Sequence, residues 1–401
     1  MLGSAMSVAA SGLRAMQAAT DLHSSNIANA QTVGYSRQDA NFTNQQFGGV
    51  TASAIPRFSA TMATRISQLQ GVDASATVKD AAMTSVSNML SSASDQLSSA
   101  MEAFRTSLGA AADRPQDNSV RIAVAGNAAA MASQATANLN VLDAQVIDLT
   151  KQSGMVREAA TQKMKELIDL NKTAAYDPSN SEIRNQQADV GRQLADLVGG
   201  EVSFGPNGQA AFSVNGTIVV DGTTQSSLPV KTGGTLGGLS SAVVDISVLR
   251  STFSTVLGSF SKSMNELNSQ GVDSTKAAGK DLFSFDGATL AFTSSVDKLA
   301  LASVGGVGGE IARKMSGSKQ LSQDMADLAT TAGLQAGTAK GAVTSSDFAL
   351  ISAMSKQTAE NGVNLDQETI NLKNAQNYYA ANAKVIETAN AMMGTLINMK
   401  A

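Results

Sequence analysis

The stretch MSVAASGLRAMQAATDLHSSNI, residues 6–27, places Met6, Ala9, Leu13, Met16, Thr20, His23 and Ile27 at alternating steps of three and four, one stripe of an α-helix. Its other face carries Ser, Arg, Gln, Asp and Asn. The same period returns near the other end, where Leu365, Leu372, Tyr379, Ile386 and Met393 fall seven apart, with Ala375, Ala389 and Leu396 on the same side. Both ends therefore read as amphipathic helices. Neither stripe is wide enough to hold a helix in water unaided, so each needs a partner, either the other helix or another subunit.

Working inward, Met83, Val86, Leu90, Ala93, Leu97, Ala100 and Phe104 keep the same spacing, as do Leu139, Leu142, Val146, Leu149, Ser153, Val156 and Ala160. These predict long helices between Gln68 and Leu170. Leu249, Phe253, Val256, Phe260 and Leu267 resume the pattern after a break, so the helical region is assembled from separated pieces of chain. The break carries β signals: Glu201–Phe204 and Thr217–Val220 are bounded by Gly205-Pro-Asn-Gly208, Asn215-Gly216 and Asp221-Gly222, dipeptides suited to tight hairpins. A second β segment is predicted at Leu282–Phe285 and Thr289–Phe292, split by Asp286-Gly287. The glycine-rich run 303–309 reads as a loop. It lacks the Gly-Lys-Ser/Thr that a phosphate cradle requires.

Composition excludes most chemistry. At 401 residues more than one core is expected, and with no Trp and 4% aromatics those cores rest on Ala, Leu, Val, Met and Ile. Without cysteine there are no disulfides, thiolate nucleophiles or cysteine-ligated zinc, and a single histidine, His23, lies on a helix stripe where packing or hydrogen bonding is its natural role. We therefore expect no catalytic residue, cofactor or metal. A net charge of −4 with no basic stripe argues against nucleic acid as partner. The start has no basic region followed by an apolar core of the Sec type, and no run of about 18 apolar residues predicts a membrane span. The acid pairs Glu166/Asp169 and Asp366/Glu368 read as solvated helix faces rather than a glycosidase pair, because an aromatic-poor chain has little with which to line a sugar cleft.

Residues His23-Ser-Ser-Asn-Ile-Ala-Asn-Ala-Gln-Thr-Val-Gly-Tyr-Ser-Arg-Gln38 resemble the signature that opens the flagellar rod, hook and hook-associated proteins, with Asn26, Asn29, Gly34, Tyr35, Arg37 and Gln38 as its marks. Val33 stands where many members have Pro. Asn361–Glu368, including Val363 and Leu365, together with Asn377–Asn390 and Leu396–Asn398, is similar to the family's end. The segments Ser181–Ser203, Gly233–Leu239, Asn265–Asp273 and Lys280–Phe283 resemble the hook-associated branch, although Arg184-Asn-Gln-Gln-Ala-Asp189 departs from its usual Asp-Gln-Arg-Asp. The chain also lacks room for the large variable outer domain of longer members.

What the resemblance implies is a mainly α fold: a long discontinuous helical bundle with N- and C-terminal coiled-coil helices paired, plus a small β insertion domain. Residues 1–70 and 355–401 would form a terminal helical axial core, 71–198, 243–280 and 310–354 a helical bundle, and 199–242 with 281–309 a β-rich outer domain. It further implies a non-enzymatic structural subunit of the bacterial flagellum that connects hook to filament by axial self-assembly. The alternatives are a hook or distal-rod subunit and a secreted hydrolase with axial-type ends. Its partners would be copies of itself in a tube, the hook protein, a second junction protein and an export chaperone on the C-terminal helix. It would reach the cell exterior unfolded through the flagellar type III system. The assembly interface would be Met6, Leu13, Met16, Ile27, Leu365, Leu372, Tyr379, Ile386, Met393 and Leu396, with Tyr378 beside Tyr379 packing between axial helices. In a single chain those ends would stand unpaired or mobile and order on stacking.

Overall fold

The computed structural model describes residues 2–32, 35–46, 48–178, 180–304 and 308–399. Helix α1 (Leu2–Ala28) leads into a hairpin of β1 (Gln38–Asn44) and β2 (Val50–Pro56), followed by the long helices α2 (Ala60–Asp113) and α3 (Asn118–Ala174). Helix α4 (Ser181–Val198) precedes β3 (Glu201–Phe204), β4 (Ala210–Val214), β5 (Thr217–Asp221) and β6 (Thr224–Gln225), an antiparallel sheet in that order. Then come α5 (Gly234–Ser269), β7 (Gly271–Val272), β8 (Phe283–Phe285), β9 (Leu290–Phe292), β10 (Ala302–Ser303), α6 (Glu310–Ser316), α7 (Gln320–Asn361) and α8 (Leu365–Asn398).

Two compact units share the chain. One holds residues 1–71, 160–232 and 347–401, and the other residues 72–159 and 233–346. The second unit is a helical bundle, and most of the heptad residues read from sequence contribute to its core. Met83, Val86, Leu90, Leu97 and Phe104 of α2 are buried with Leu139, Leu142 and Leu149 of α3, Leu249, Phe253 and Phe260 of α5, and Leu321 and Met325 of α7. Phe283 enters this core from β8 and makes edge contacts with Phe104 and Phe292, at centroid distances of 6.1 and 5.6 Å. The long helices predicted between Gln68 and Leu170 are two, α2 and α3, separated by a single short turn. Pro115 cannot extend α2, and Asp117 accepts from the Ser119 amide at 3.0 Å and its hydroxyl at 2.6 Å, which starts α3.

The bundle is tied by Arg121, which is buried and donates to four backbone carbonyls. The acceptors are Pro115 (2.9 Å), Val296 (3.0 Å), Asp297 (3.2 Å) and Leu299 (2.7 Å). A planar guanidinium suits such a fan of acceptors, because its donors point outward in one plane.

In the first unit α4 begins with Asn180, whose side chain accepts from the amides of Glu182 and Ile183 at 3.0 and 3.2 Å. It lies so close to β3 that a Cβ at Gly191 would sit 2.6 Å from that of Val202. Asn171 of α3 stitches the sheet edge, donating to the carbonyls of Ala210 (2.8 Å) and Gly222 (2.6 Å) and accepting from the Ala210 amide (2.8 Å).

Three expectations need correction. The terminal segment is not wholly helical, since 38–56 is a hairpin. The β regions do not form one outer domain: β3–β6 belong to the first unit, while β8, β9 and their neighbours belong to the second, where Phe283 and Leu290 are core residues. Residues 234–242 are already helix α5. Lastly, the two ends do not lack a partner within one chain, because α1 and α8 pack against each other. Of the glycine-rich loop predicted at 303–309, residues 305–307 lie outside the described residues.

Candidate assembly site at the paired termini

The α1–α8 contact is made mostly by small residues. Ala9, Gly12, Ala15, Ala19 and Leu22 are buried on α1, and Ala375 and Ala389 on α8. Gly12 permits the approach: a Cβ there would sit 2.8 Å from Asn382 Oδ1. The larger stripe residues flank this line. Met6, Leu13, Met16 and Ile27 of α1 and Leu372 and Ile386 of α8 are half-buried, whereas Leu365, Tyr379, Met393 and Leu396 are exposed. Ile370, Tyr378, Val385 and Met392 add to this exposed apolar face of α8, and the sequence reading passed over Ile370, Val385 and Met392.

At the end of the pair where α1 stops and α8 starts, three buried polar side chains meet. Asn26 Oδ1 accepts from the Gln38 amide at 3.0 Å, and Asn26 Nδ2 donates to the Gln38 carbonyl at 2.8 Å. The carboxamide thus pairs with the backbone of β1 as another strand would. Asn26 Nδ2 also donates to Glu368 Oε2 at 3.0 Å, and Tyr35 donates its hydroxyl to Asn26 Oδ1 at 2.9 Å. His23 Nδ1 lies 2.6 Å from Glu368 Oε2, while Arg37 Nε is 4.0 Å from Oε1.

This corrects the reading of Glu368 as solvated: it is 1% exposed, whereas Asp366, Glu166 and Asp169 are exposed. The last two pair with Lys163 and Lys172. A lone histidine on an apolar stripe needs a polar partner inside, so the sequence signalled some buried polar group opposite His23 without naming which residue it is.

The other signature residues surround the cluster. Asn29 donates to the Ser25 carbonyl at 3.0 Å at the end of α1, and the Arg37 amide donates to the Asn361 carbonyl at 3.0 Å. Arg37 and Arg57 both pair with Asp39, at 3.2 and 2.6 Å. Gln38 Nε2 donates to Ser181 Oγ at 3.2 Å, and Ser36 Oγ to Asn185 Oδ1 at 2.9 Å, which fastens α4 to the same corner. Val363 is half-buried in the α7–α8 turn, and Gly34 lies outside the described residues.

Among the described residues no group of three or more His, Asp or Glu is placed to hold a metal, and no helix is long and apolar enough to cross a membrane.

The family model "Flagellar hook-associated protein FlgK helical domain" matches residues 83–233, the flagellar basal body rod model residues 6–35, and the model of the C-terminal part of the rod FlgEFG proteins residues 359–399. Flagellar hook-associated protein 1 of Escherichia coli strain K12 is 23% identical over 553 aligned positions, covering all of both chains. That of Salmonella typhimurium is 22% identical over 557 positions, also with full coverage. These alignments are much longer than the 401-residue chain, so the relatives carry segments that this chain lacks. The solved structure of the flagellar hook junction protein FlgK from Burkholderia pseudomallei superposes with a TM-score of 0.51 at 20% identity, over 56% of this chain and 46% of that one, so the fold is shared. Helical bundle, paired ends and matched segments agree, and the chain belongs to the flagellar hook-associated protein 1 (FlgK) family, structural components of the flagellum.

Proposed function

We propose that this chain is the junction subunit that adds as a short zone to the distal end of the hook and presents a different lattice to the next protein toward the filament. The observation that carries the reading is the α1–α8 pair with its apolar face of Leu365, Tyr378, Tyr379, Val385, Met392, Met393 and Leu396 left without cover in one chain. So many exposed large apolar residues flanking one helix contact mark an association site. Head-to-tail contacts through it are heterologous and propagate along an axis rather than closing on themselves.

The partners in this reading are copies of the same chain, the hook protein on one side and a second junction protein on the other. Before assembly, export through the flagellar type III channel and a chaperone over α8 keep that apolar face from aggregating. The chain acts by packing, without catalysis. The match of 83–233 to the helical-domain model favours this reading over a hook or distal-rod subunit, which shares only the end segments.

Deleting the gene tests it. Hooks without filaments, with flagellin lost to the medium, are expected. Loss of the hook itself sends the chain to the hook or rod, and normal filaments remove it from the axis. Hydrolysis of glycan or peptide by the purified protein, abolished by one carboxylate substitution, would contradict the non-catalytic role.

A further inference from the structure

The contact line between α1 and α8 is nearly degenerate along its length. Ala9, Gly12, Ala15 and Ala19 face a helix whose apolar residues Leu365, Leu372, Tyr379, Ile386 and Met393 repeat every seven, with Ala375 and Ala389 between them. Sliding α8 by seven residues, about 10.5 Å at 1.5 Å per residue, brings Ala375 or Ala389 opposite Gly12 in place of Asn382, so the small line of α1 still finds a side chain it can accept. Small-residue packing alone therefore does not choose one setting.

The polar corner does. His23, Asn26 and Glu368 are 9%, 0% and 1% exposed. In the observed setting the hydrogen-bonding groups of Asn26 are filled by Gln38, Tyr35 and Glu368, and Glu368 Oε2 is held by both His23 and Asn26. A slip of two turns withdraws the carboxylate and leaves His23 and part of Asn26 buried against apolar or small side chains, which is costly for each group. A single buried polar contact fixing the register of paired helices is the best-attested use of such groups.

We propose that His23, Asn26 and Glu368 are positioning residues that set the longitudinal register of α8 on α1. Through Asn26's pairing with the Gln38 backbone they also lock the β1–β2 hairpin to the same setting. The consequence for function rests on the reading of the α1–α8 pair as the assembly element: a tube wall built from this pair repeats correctly only if every copy has the same register. The test below is made on purified single chains, so its outcome is independent of whether the chain assembles on the hook.

Because the chain contains no cysteine, introduced pairs report register without background. Gly12→Cys with Asn382→Cys reports the observed setting, and Gly12→Cys with Ala375→Cys or with Ala389→Cys reports slips of seven in either direction. In the parent background the first pair should oxidise nearly completely and the others at under about a tenth of that level. With His23→Leu, Asn26→Leu and Glu368→Leu together, at least one slipped pair should rise by fivefold or more while the first falls. Retention of the parental pattern with undiminished helical circular dichroism overturns the proposal. If the triple variant loses helix, the reversed pair decides: His23→Glu with Glu368→His should restore the Gly12/Asn382 crosslink above the level of His23→Glu alone. Equal crosslinking in those two overturns it.

Discussion

The side chain of Asn26 and the backbone of Gln38 form a two-bond pair, amide to Oδ1 at 3.0 Å and Nδ2 to carbonyl at 2.8 Å. An asparagine carboxamide reproduces a peptide group here, closing a strand edge from the end of a helix. Asn26→Asp removes the donor to the carbonyl and sets a second acid against Glu368. It should destabilise the first unit by about 3 kcal/mol, as for breaking a buried, charge-bearing network. Urea unfolding followed at that unit checks this, and a cost under about 0.5 kcal/mol would count against the pairing.

Arg121 anchors the other unit through four carbonyls. Arg121→Leu leaves those acceptors buried and unmet, and we expect a loss of about 3 kcal/mol in thermal unfolding. Arg121→Lys should recover little, because one ammonium cannot reach four acceptors spread in a plane.

Asp273 supplies a pH dependence. Hydrogen bonds from the Thr275 hydroxyl, the Ala277 and Thr275 amides and Lys298 hold its carboxyl down to about 2. Asp117, held below the usual carboxylate range first by the Ser119 hydroxyl, Asp286 first by the Thr289 amide, and Asp297 first by the Ser295 hydroxyl, shift the same way. A folded-state value below the unfolded one, about 3.9, gives stability that is fully present above the unfolded value and lost as pH falls through the folded one. Stability of the second unit should therefore be level above pH about 5 and fall toward pH about 2. Asp273→Asn should flatten part of that slope, and an unchanged slope would contradict the assignment.

The exposed face of α8 should be dispensable for folding and needed for assembly. Val385→Asp should leave helix content and unfolding within about 0.5 kcal/mol of the parent, as surface substitutions do, while abolishing motility. Ile386→Asp and Leu13→Asp should also abolish assembly with the second unit still folded, but being half-buried they weaken the α1–α8 pair as well. Filaments built normally by Val385→Asp would remove that face from the interface.

What the sequence made legible follows from where pattern and packing coincide. Met83 to Phe104 and Leu139 to Leu149 keep a seven-residue repeat because one side faces a single core, so those helices could be read directly. The β1–β2 hairpin could not be read in that way: the alternating residues Ala40 and Phe42, and Val50, Ala52 and Ala54, are mostly alanine, a weak strand signal, and neither strand has a fully buried face. The hairpin is held by its ladder, by the Thr43–Thr51 hydroxyl contact at 2.8 Å and by the Val50 amide donating to Ser11 Oγ at 3.0 Å.

Strand β4, AAFSV, does alternate, with Ala210, Phe212 and Val214 buried, but alanine is a weak strand signal. At the termini, large residues drew attention to Met6, Leu13 and Met16, whereas the buried line runs through Ala9, Gly12, Ala15 and Ala19. Close helix approach selects for small side chains there, and hydrophobicity alone does not reveal it. Glu368 was hidden for a related reason: its neighbours on α8 are solvated, and only the tertiary position of His23 turns one acid inward.

The central claim is that α1 and α8 complete their packing only with neighbouring copies. Amide hydrogen exchange compared between the monomer and the assembled junction tests it most directly. Protection across 365–396 should rise by about a hundredfold or more on assembly, with little change in the bundle of 72–159 and 233–346, because only the former gains partners. Equal protection of α8 in both states would contradict the account.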